Sequence, residues 1–261
     1  MAHSLLHQIL VSDLVVPIAL AQTPDQRILP RFGVRLAAGT WLRGDVVVVD
    51  RARLPADGWF VDGPPLLVAE VTSDASARAD LGPKKEMWAR SGVPSLWIVQ
   101  PGVRRVRLHV YELDGEEYVE RARLSGDRPY RVKQPFEMDL VPDEIFGRTI
   151  NRPAAGKGPA TKGDRPARRG SAMTERSGPD LPAATEKILV DAFGHRWPTG
   201  AEKAELWDGC PVFYGVWDER DVEIAQRAYP GRVIRLDQES GEPGTLSVLP
   251  AGLRSAAETA E

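Results

Sequence analysis

The segment from residue 66 to residue 99 constrains the fold of this chain most strongly. The apolar run at 66–72 and a second apolar run at 95–100 have the length and composition of buried β-strands. A helical pattern over about 80–91 lies between them and stops at Gly92, a residue that readily accepts the left-handed conformation found after helices. Together with the strands around it, this unit predicts an α/β fold, a mixed β-sheet with helices packed on it.

Two acidic residues stand in strands where charge is unexpected. Glu70 lies inside the apolar run at 66–72, and Asp45 begins the apolar strand predicted at 44–50. A buried carboxylate is costly unless it is paired, protonated or bound to a cation. If the two strands are antiparallel neighbours, the start of one meets the end of the other, and the two carboxylates converge at one sheet edge. Mg²⁺ or Mn²⁺ would offset their repulsion, since both prefer hard oxygen ligands.

A lysine on the following helix completes this arrangement. At about 100° per residue, Lys84 falls in the middle of the apolar stripe formed by Leu81, Met87 and Trp88, whereas Lys85 lies at its edge. The stripe should pack on the sheet, so the Lys84 ammonium is directed toward the two acids. Asp80, one turn earlier, is explained more simply as a helix N-cap. Two acids and a lysine on one sheet suggest a metal-dependent phosphodiesterase site.

The remaining pattern supplies more strands and one N-terminal helix. Asp114-Gly115 marks a hairpin turn between two of the strands. Besides the elements above, we predict a helix over about 3–16 and strands at 31–38, 104–112 and 117–122.

Composition and charge indicate which partners and which cellular compartment suit this chain. The chain carries 34 basic and 37 acidic residues, a net charge of −3, so no overall field attracts it to nucleic acid. A single cysteine, Cys210, excludes a disulfide framework and fits a reducing compartment. The apolar N-terminal run has no Lys or Arg before Arg27, which favours a core helix in a cytoplasmic protein over a signal peptide, the minor alternative. No membrane association is expected.

At these residues the chain resembles the Uma-type restriction endonuclease family of the PD-(D/E)XK nuclease superfamily, over about residues 3–146. The resemblance rests on a combination of short motifs: His3 before the apolar helix, Asp45-Val, Pro64-Pro-Leu-Leu-Val-Ala-Glu70-Val-Thr-Ser, Asp80 with Lys84, Trp88, and Gly92-Val followed by Trp97-Ile-Val. It implies a restriction-endonuclease-like mixed β-sheet core flanked by helices.

The resemblance also implies an activity. Asp45 and Glu70 match the family's two metal-binding acids, and Lys84 matches a lysine that has moved from the strand to the next helix; Thr72 stands at the usual strand position. The Val71 carbonyl would be a further metal ligand by analogy. The implied function is a Mg²⁺- or Mn²⁺-dependent endodeoxyribonuclease that hydrolyses DNA, with a homodimer as one option.

Two features depart from the family pattern. Gly44 stands where the family usually has proline, and the chain lacks the segment that usually precedes the first helix and carries a glutamate in a Tyr-Glu-Leu-Ile-Asp-Gly-like stretch. The segment Glu205-Leu-Trp-Asp-Gly209, far downstream, is similar to the missing piece and is consistent with a permuted arrangement.

Composition divides the chain into four parts: a nuclease-like domain at 1–150, a basic linker at 151–183, a small α+β module at 184–252 and a tail at 253–261. The linker lacks the apolar residues needed to offset the entropy of ordering it, so we expect it to be disordered. We assign no functional residue to the C-terminal module, and expect it to fold separately or dock weakly. Proteolysis should cut first between Arg152 and Arg176 and release a fragment that keeps Asp45, Glu70 and Lys84.

Two other functions remain open. One is a catalytically silent nuclease-like protein that binds nucleic acid or regulates. The other is a plain α/β domain in which Asp45 and Glu70 pair with arginines such as Arg43 or Arg78. The distances among Asp45, Glu70 and Lys84 distinguish these functions. The active nuclease and the silent nuclease-like protein both require the three residues to converge in one cleft. If they converge but the cleft is unroofed, the silent protein is favoured.

Overall fold

The computed structural model describes residues 5–55, 60–72, 77–102, 105–150, 181–193, 201, 203–239 and 244–252. The helices of this part of the chain are α1 (Leu5–Ala21), α2 (Ala77–Leu81), α3 (Pro83–Arg90), α4 (Pro142–Ile150), α5 (Val190–Phe193) and α6 (Glu219–Ala228). The strands before residue 150 are β1 (Gln26–Ala37), β2 (Thr40–Asp50), β3 (Phe60–Asp62), β4 (Leu67–Val71), β5 (Ser95–Gln100), β6 (Arg107–Asp114), β7 (Glu117–Leu124), β8 (Tyr130–Val132) and β9 (Met138–Leu140). Those after it are β10 (Lys203–Trp207), β11 (Cys210–Gly215), β12 (Val233–Asp237) and β13 (Gly244–Leu249).

A large mixed sheet forms the centre of the described chain. Its strands run in the order β12-β13-β11-β10-β2-β4-β5-β6-β7, with β1 beside β2 and β3 beside β1. Strands β2 and β4 are antiparallel with Val46 opposite Ala69, whereas β4 and β5 are parallel. The α/β class and the mixed sheet predicted from sequence are therefore confirmed, including the antiparallel relation on which the convergence of Asp45 and Glu70 depends.

Strand β2 is shared by three neighbours, and this creates a notch. β1 follows one edge of β2 along nearly its whole length, from Thr40 to Asp50. On the opposite edge, β4 pairs with Val46–Val48 and β10 pairs only at Trp41. Within the described part of the chain, residues 42–45 of β2 therefore have no strand partner on this edge. The notch between β4 and β10 is where the candidate site lies.

Helices cover both faces of the sheet. On one face α1 packs through Leu10, Leu14 and Ile18 against a core that includes Val46 and Ala69. On the other face α3 packs through Met87 and Trp88 against a second core of strand residues, among them Val47, Val68, Leu96 and Ile98. Glu70 shares the second face with Val68, as the alternation of a strand requires.

The C-terminal segment joins this sheet. Its strands β10–β13 extend the sheet beyond β2, and its own core surrounds Phe213 and Leu246. Trp41 of β2 packs against that core, with its ring 5.8 Å from the ring of Phe193. The division at 1–150 and 184–252 and the independent folding of the module stay predictions. Residues 151–180 of the linker and the tail at 253–261 lie outside the described residues.

Several elements differ from those predicted. The helix expected at 80–91 is two helices, because the pair Gly82-Pro83 interrupts it and Pro83 begins α3. Leu81 of the predicted apolar stripe is exposed, as is Leu6 of α1. The short strands β3, β8 and β9 and strand β10 were not predicted, since three to five residues carry little periodic signal. None of the described helices is long and apolar enough to cross a membrane.

Candidate active site

Side chains replace the missing strand partner in the notch of β2. The backbone N–H of Arg43 donates to the Glu205 carboxylate at 2.9 Å, and the Arg43 carbonyl accepts a hydrogen bond from the Lys84 ammonium at 3.0 Å. The backbone N–H of Val71, just past the last β2–β4 pair, donates to the Asp45 carboxylate at 2.9 Å. Backbone groups buried without a partner are strongly disfavoured, so these contacts explain why charged side chains are tolerated here.

Asp45 lies at the inner end of this notch. Its Oδ2 atom lies 3.2 Å from His7 Nε2 of α1 and accepts the Val71 N–H. Burial alone would raise the pKa of Asp45, but the hydrogen bond from His7 and the charges of Lys203 and Lys84 outweigh it and hold that pKa below its ordinary value. Asp45 is therefore ionised in the folded protein at neutral pH.

Glu70 lies in a different environment. Its Oε1 atom is 2.6 Å from the Lys84 ammonium and accepts a hydrogen bond from Trp88 Nε1 at 3.3 Å. Its Oε2 atom is buried without a hydrogen bond, although Lys203 Nζ lies 3.5 Å away. Burial raises the pKa of Glu70 to about 7; the charges of Lys203 and Lys84 oppose this rise, and those of Asp80 and Asp45 add to it.

Lys84 joins the acids of the site. Its ammonium, fully buried, lies 3.0 Å from Glu205 Oε1 and 3.5 Å from Asp80 Oδ1, in addition to its contact with Glu70. Burial disfavours the charged form, but the three carboxylates hold the pKa of Lys84 well above its ordinary value. Lys84 thus remains an ammonium ion, as an electrostatic role requires.

Glu205 enters the site from β10, far along the chain. Its carboxylate is fully buried and accepts hydrogen bonds from the Tyr214 hydroxyl at 2.7 Å and from Trp207 Nε1 at 3.0 Å, besides the Arg43 N–H. Lys203 Nζ lies 3.2 Å from its Oε1. Burial would raise the pKa of Glu205, but Lys203, Lys84 and these hydrogen bonds lower it to about 2.

The donor set fits a hard divalent cation. The site holds four buried carboxylates, those of Asp45, Glu70, Asp80 and Glu205, and the ammonium groups of Lys84 and Lys203. Glu70, Asp80 and Glu205 contact Lys84, and Asp45 interacts with both lysines through its charge. This leaves a formal excess of two negative charges, and Glu70 Oε2 offers a buried oxygen without a hydrogen bond. The described residues contain no cluster of three or more His, Cys, Asp or Glu side chains arranged for a metal, so backbone oxygen or water would complete the coordination.

The site is enclosed. The hairpin of β10 and β11 and helix α2 close over it, with Ala79, Val212 and Tyr214 packed in a small apolar cluster. Lys84 and Glu205 have no exposed surface, and Glu70 has almost none. The three predicted site residues converge, and their notch is roofed.

Comparison with known proteins identifies the family. The model of the Uma2 family, described as "Putative restriction endonuclease", matches residues 2–143, more than half of the chain. The chain belongs to the Uma2 family. Among solved structures, a "putative nuclease belonging to DUF820" from Anabaena variabilis is similar, with 17% sequence identity and a TM-score of 0.45, covering 56% of this chain and 82% of that one. No curated protein matches.

Part of the site of this Uma2 protein could be predicted from its sequence. Lys84 points at the sheet, as its place in the apolar stripe predicts, while Lys85 lies over the ring of Tyr111. Asp80 does not cap α3, whose N-cap is Gly82, but lies buried beside Lys84. His3 falls outside the described residues; His7, one turn later on α1, contacts Asp45 instead.

Sequence reasoning missed the contribution of β10 to this Uma2 site. No site residue was assigned after residue 150, yet Lys203 and Glu205 lie beside Lys84 and Glu70. The signal that could have found Glu205 is the stretch Glu205-Leu-Trp-Asp-Gly209, similar to a segment the family carries near its N-terminus. The alternative in which the acids pair with Arg43 finds no ion pair among the described residues, and the Arg43 Nε donates to the Arg31 carbonyl. The Arg78 side chain lies outside the described part.

Proposed function

We propose that this Uma2 protein is a metal-dependent endonuclease that hydrolyses DNA phosphodiester bonds. The observation that carries the proposal is the state of Glu70: a buried carboxylate, one oxygen without a hydrogen bond, placed between Lys84 and the strand of Asp45. Burial, reinforced by the charges of Asp80 and Asp45, raises the pKa of Glu70 to about 7, so Glu70 holds a proton part of the time at neutral pH. A divalent cation supplies more positive charge than that proton and would take its place.

Each site residue has a distinct task in this proposal. Asp45 and Glu70, with the Val71 carbonyl, would hold Mg²⁺ or Mn²⁺. Such an ion would supply polarisation of the scissile phosphate and a lower pKa for the attacking water. Lys84, kept charged by Glu70, Glu205 and Asp80, positions the attacking hydroxide and offsets the negative charge that develops on the phosphate.

Two arginines near the notch support a nucleic-acid substrate. The two are Arg43, whose backbone belongs to the notch, and Arg31 on β1; the Arg43 Nε donates to the Arg31 carbonyl at 3.0 Å. Neither guanidinium forms an ion pair within the described part of the chain, in contrast to Arg35, which is paired with Asp62. Unpaired guanidinium groups bind phosphate well. The basic stretch at 151–183 would add sequence-independent affinity. A cytoplasmic location and a homodimer belong to the same proposal.

One observation favours a second function. The Lys84 ammonium is fully buried and already contacts three carboxylates and a carbonyl, so a phosphate reaches it only if the covering hairpin moves. A protein in which this cover never opens would keep the nuclease fold without its activity. It would then bind nucleic acid or regulate, as a catalytically silent relative.

A nicking assay separates the two functions. Supercoiled plasmid is incubated with the full chain and Mg²⁺ or Mn²⁺, alongside a chelated reaction and the Asp45→Asn and Lys84→Met variants. The endonuclease converts plasmid to nicked and linear forms only with metal, and both variants lose this activity. Equal conversion by wild type and both variants would place the activity elsewhere, and no conversion under any condition would favour the silent protein.

A further inference from the structure

Strand β10 reaches the site from beyond the region that the family model covers. That model ends at residue 143, whereas Lys203 and Glu205 belong to the C-terminal segment. Their side chains nevertheless contact Lys84 and Glu70, at 3.0 Å for Glu205 to Lys84 and 3.5 Å for Lys203 to Glu70. Among the described strands, only β4 and β10 pair with this edge of β2.

We propose that β10 is a working part of the active site, in which Glu205 positions the Lys84 ammonium and Lys203 supplies a second positive charge beside Glu70. The proposal rests on the endonuclease function proposed above. It assigns a role in that reaction to a segment whose covalent connection to the other site residues runs through the linker at 151–183.

The contacts of Glu205 support a positioning role. Five groups fix its carboxylate, including a backbone N–H of β2, the Trp207 indole and the Tyr214 hydroxyl, and its Oε1 faces Lys84. Lys84 is the second residue of α3, after Pro83 and the N-cap Gly82. Its ammonium donates to the Arg43 carbonyl, while Glu205 accepts the Arg43 N–H, so both side chains are fixed on the same residue of β2. A long, rotamer-rich side chain is held in one geometry only when such partners surround it.

Lys203 differs from Lys84 in its position. It lies over the ring of Tyr214, 5.4 Å from Nζ to the centroid, and stays slightly exposed, while Lys84 is fully enclosed. It also forms the longer contact with Glu70 and faces the oxygen that has no hydrogen bond. Lys203 is thus the more exposed of the two ammonium groups beside the carboxylates, and the one that an arriving phosphate would meet first.

The reactivity of Lys84 tests the positioning role without relying on turnover. The full chain is treated with acetic anhydride, and acetylation of Lys84 and Lys85 is followed by mass spectrometry, with Lys85 as the internal reference. In Glu205→Gln we expect Lys84 acetylation to rise at least tenfold while Lys85 is unchanged. Asp208→Asn is the matched control: the same hairpin and the same change of carboxylate to amide, but at an exposed ion pair with Lys187. It should leave Lys84 protected.

Turnover then links the geometry to the reaction. Glu205→Gln should lower kcat for plasmid nicking at least a hundredfold with KM unchanged, and Lys203→Met at least tenfold, whereas Asp208→Asn keeps both constants. If Glu205→Gln does not fold, Glu205→Asp keeps the charge and moves it away from Lys84, with the same direction of change expected. Unchanged Lys84 reactivity in the folded Glu205 variant would overturn the proposal. A chain without any nicking activity would refute the endonuclease instead, while the acetylation result would still decide the role of β10.

Discussion

Asp45 lies in the middle of β2 and Glu70 near the end of the adjacent β4, and their surroundings shift their pKa values in opposite directions. Asp45 receives a hydrogen bond from His7 and one from the Val71 backbone, which favour its ionised form. Glu70 is fully buried with one oxygen that has no hydrogen bond, and this burial raises its pKa although the charges of Lys203 and Lys84 oppose the rise. Two acids whose acidities are separated by their surroundings are typical of functional sites.

This difference predicts how the stability of the metal-free protein depends on pH. The pKa of Glu70 is about 7 in the folded chain against an ordinary value of 4.5, so the folded chain holds a proton that the unfolded chain has lost between these pH values. The free energy of unfolding therefore falls as pH rises through this window, by about 3 kcal/mol in all. Glu70→Gln cannot titrate and should lose correspondingly less.

Urea unfolding of both chains at pH 5 and pH 8, with a chelator present, measures this difference. Glu205 acts with the opposite sign, because its lowered pKa contributes stability that is lost only as pH falls from 4.5 toward about 2. The measurements above pH 5 avoid that range. Identical pH dependence in wild type and Glu70→Gln would show that Glu70 is already ionised at pH 5.

The two neighbouring lysines should respond very differently to truncation. Lys84→Ala leaves three buried carboxylates without their ammonium, which costs about 3–5 kcal/mol of stability, and should lower nicking at least a hundredfold. Lys85→Ala loses only its contact with the Tyr111 ring, worth about 0.5–1 kcal/mol, and should keep its activity. Thermal unfolding and nicking, measured below both melting temperatures, check this. Equal losses in both variants would remove Lys84 from the catalytic role.

At the scale of elements, the turn between β10 and β11 positions Glu205 in the notch of β2. Asp208 and Gly209 both have positive φ, 51° and 84°, in a two-residue hairpin turn, the combination for which Asp-Gly is preferred. The Gly209 N–H donates to the Gly39 carbonyl at 2.6 Å, which ties this turn to the start of β2. A shift of the turn would therefore move Glu205 relative to Lys84, whereas Asp208→Asn keeps the turn, because Asn-Gly is preferred there as well.

Gly209→Ala should disturb the site through this turn. A Cβ at Gly209 would overlap the side chain of Lys187 and would force alanine into a left-handed conformation, at a combined cost of about 3 kcal/mol. Gly115→Ala is the matched control: it has φ of 64° in the hairpin of β6 and β7, but open space around it, so it should cost about 1 kcal/mol. Melting temperatures and nicking rates of both variants give the comparison. Loss of activity in Gly115→Ala, or none in Gly209→Ala, would contradict it.

The sequence predicted those elements that have a strong period and missed those fixed by distant contacts. Strands β2, β4 and β5 follow from their apolar runs, and Lys84 follows from the helical period, because local pattern determines both. β10 has only five residues, and its Glu205 is buried only because Lys84, Lys203 and Tyr214 meet it there. A local sequence pattern does not contain those contacts. The one sign in the sequence was the stretch Glu205-Leu-Trp-Asp-Gly209, which is similar to a segment that the family carries near its N-terminus.

At the scale of the whole molecule, the site depends on both sides of the linker. We still expect limited proteolysis to cut first between Arg152 and Arg176, but the fragment with Asp45, Glu70 and Lys84 would lack Glu205 and Lys203. The two fragments should elute together in size-exclusion chromatography. The Val190 N–H donates to the Ala38 carbonyl, Trp41 packs on Phe193, and Lys84 pairs with Glu205 across the boundary.

The nicked protein should also keep its activity while the fragments stay associated. Dissociation in a denaturant, followed by separation and refolding, should leave the N-terminal fragment inactive until the C-terminal fragment is returned. Fragments that separate without denaturant, with full activity in the N-terminal one, would support an independent module and exclude β10 from the site.

The most direct test of the account is calorimetric titration of the metal-free full chain with Mn²⁺, because its central claim is that Asp45 and Glu70 hold a divalent cation. Wild type should bind one Mn²⁺ per chain, and Glu70→Gln should abolish this binding. Glu120→Gln, which changes a partly exposed carboxylate paired with Arg123 away from the notch, should bind as wild type does. Unchanged Mn²⁺ binding in Glu70→Gln, or none in wild type, would contradict the account.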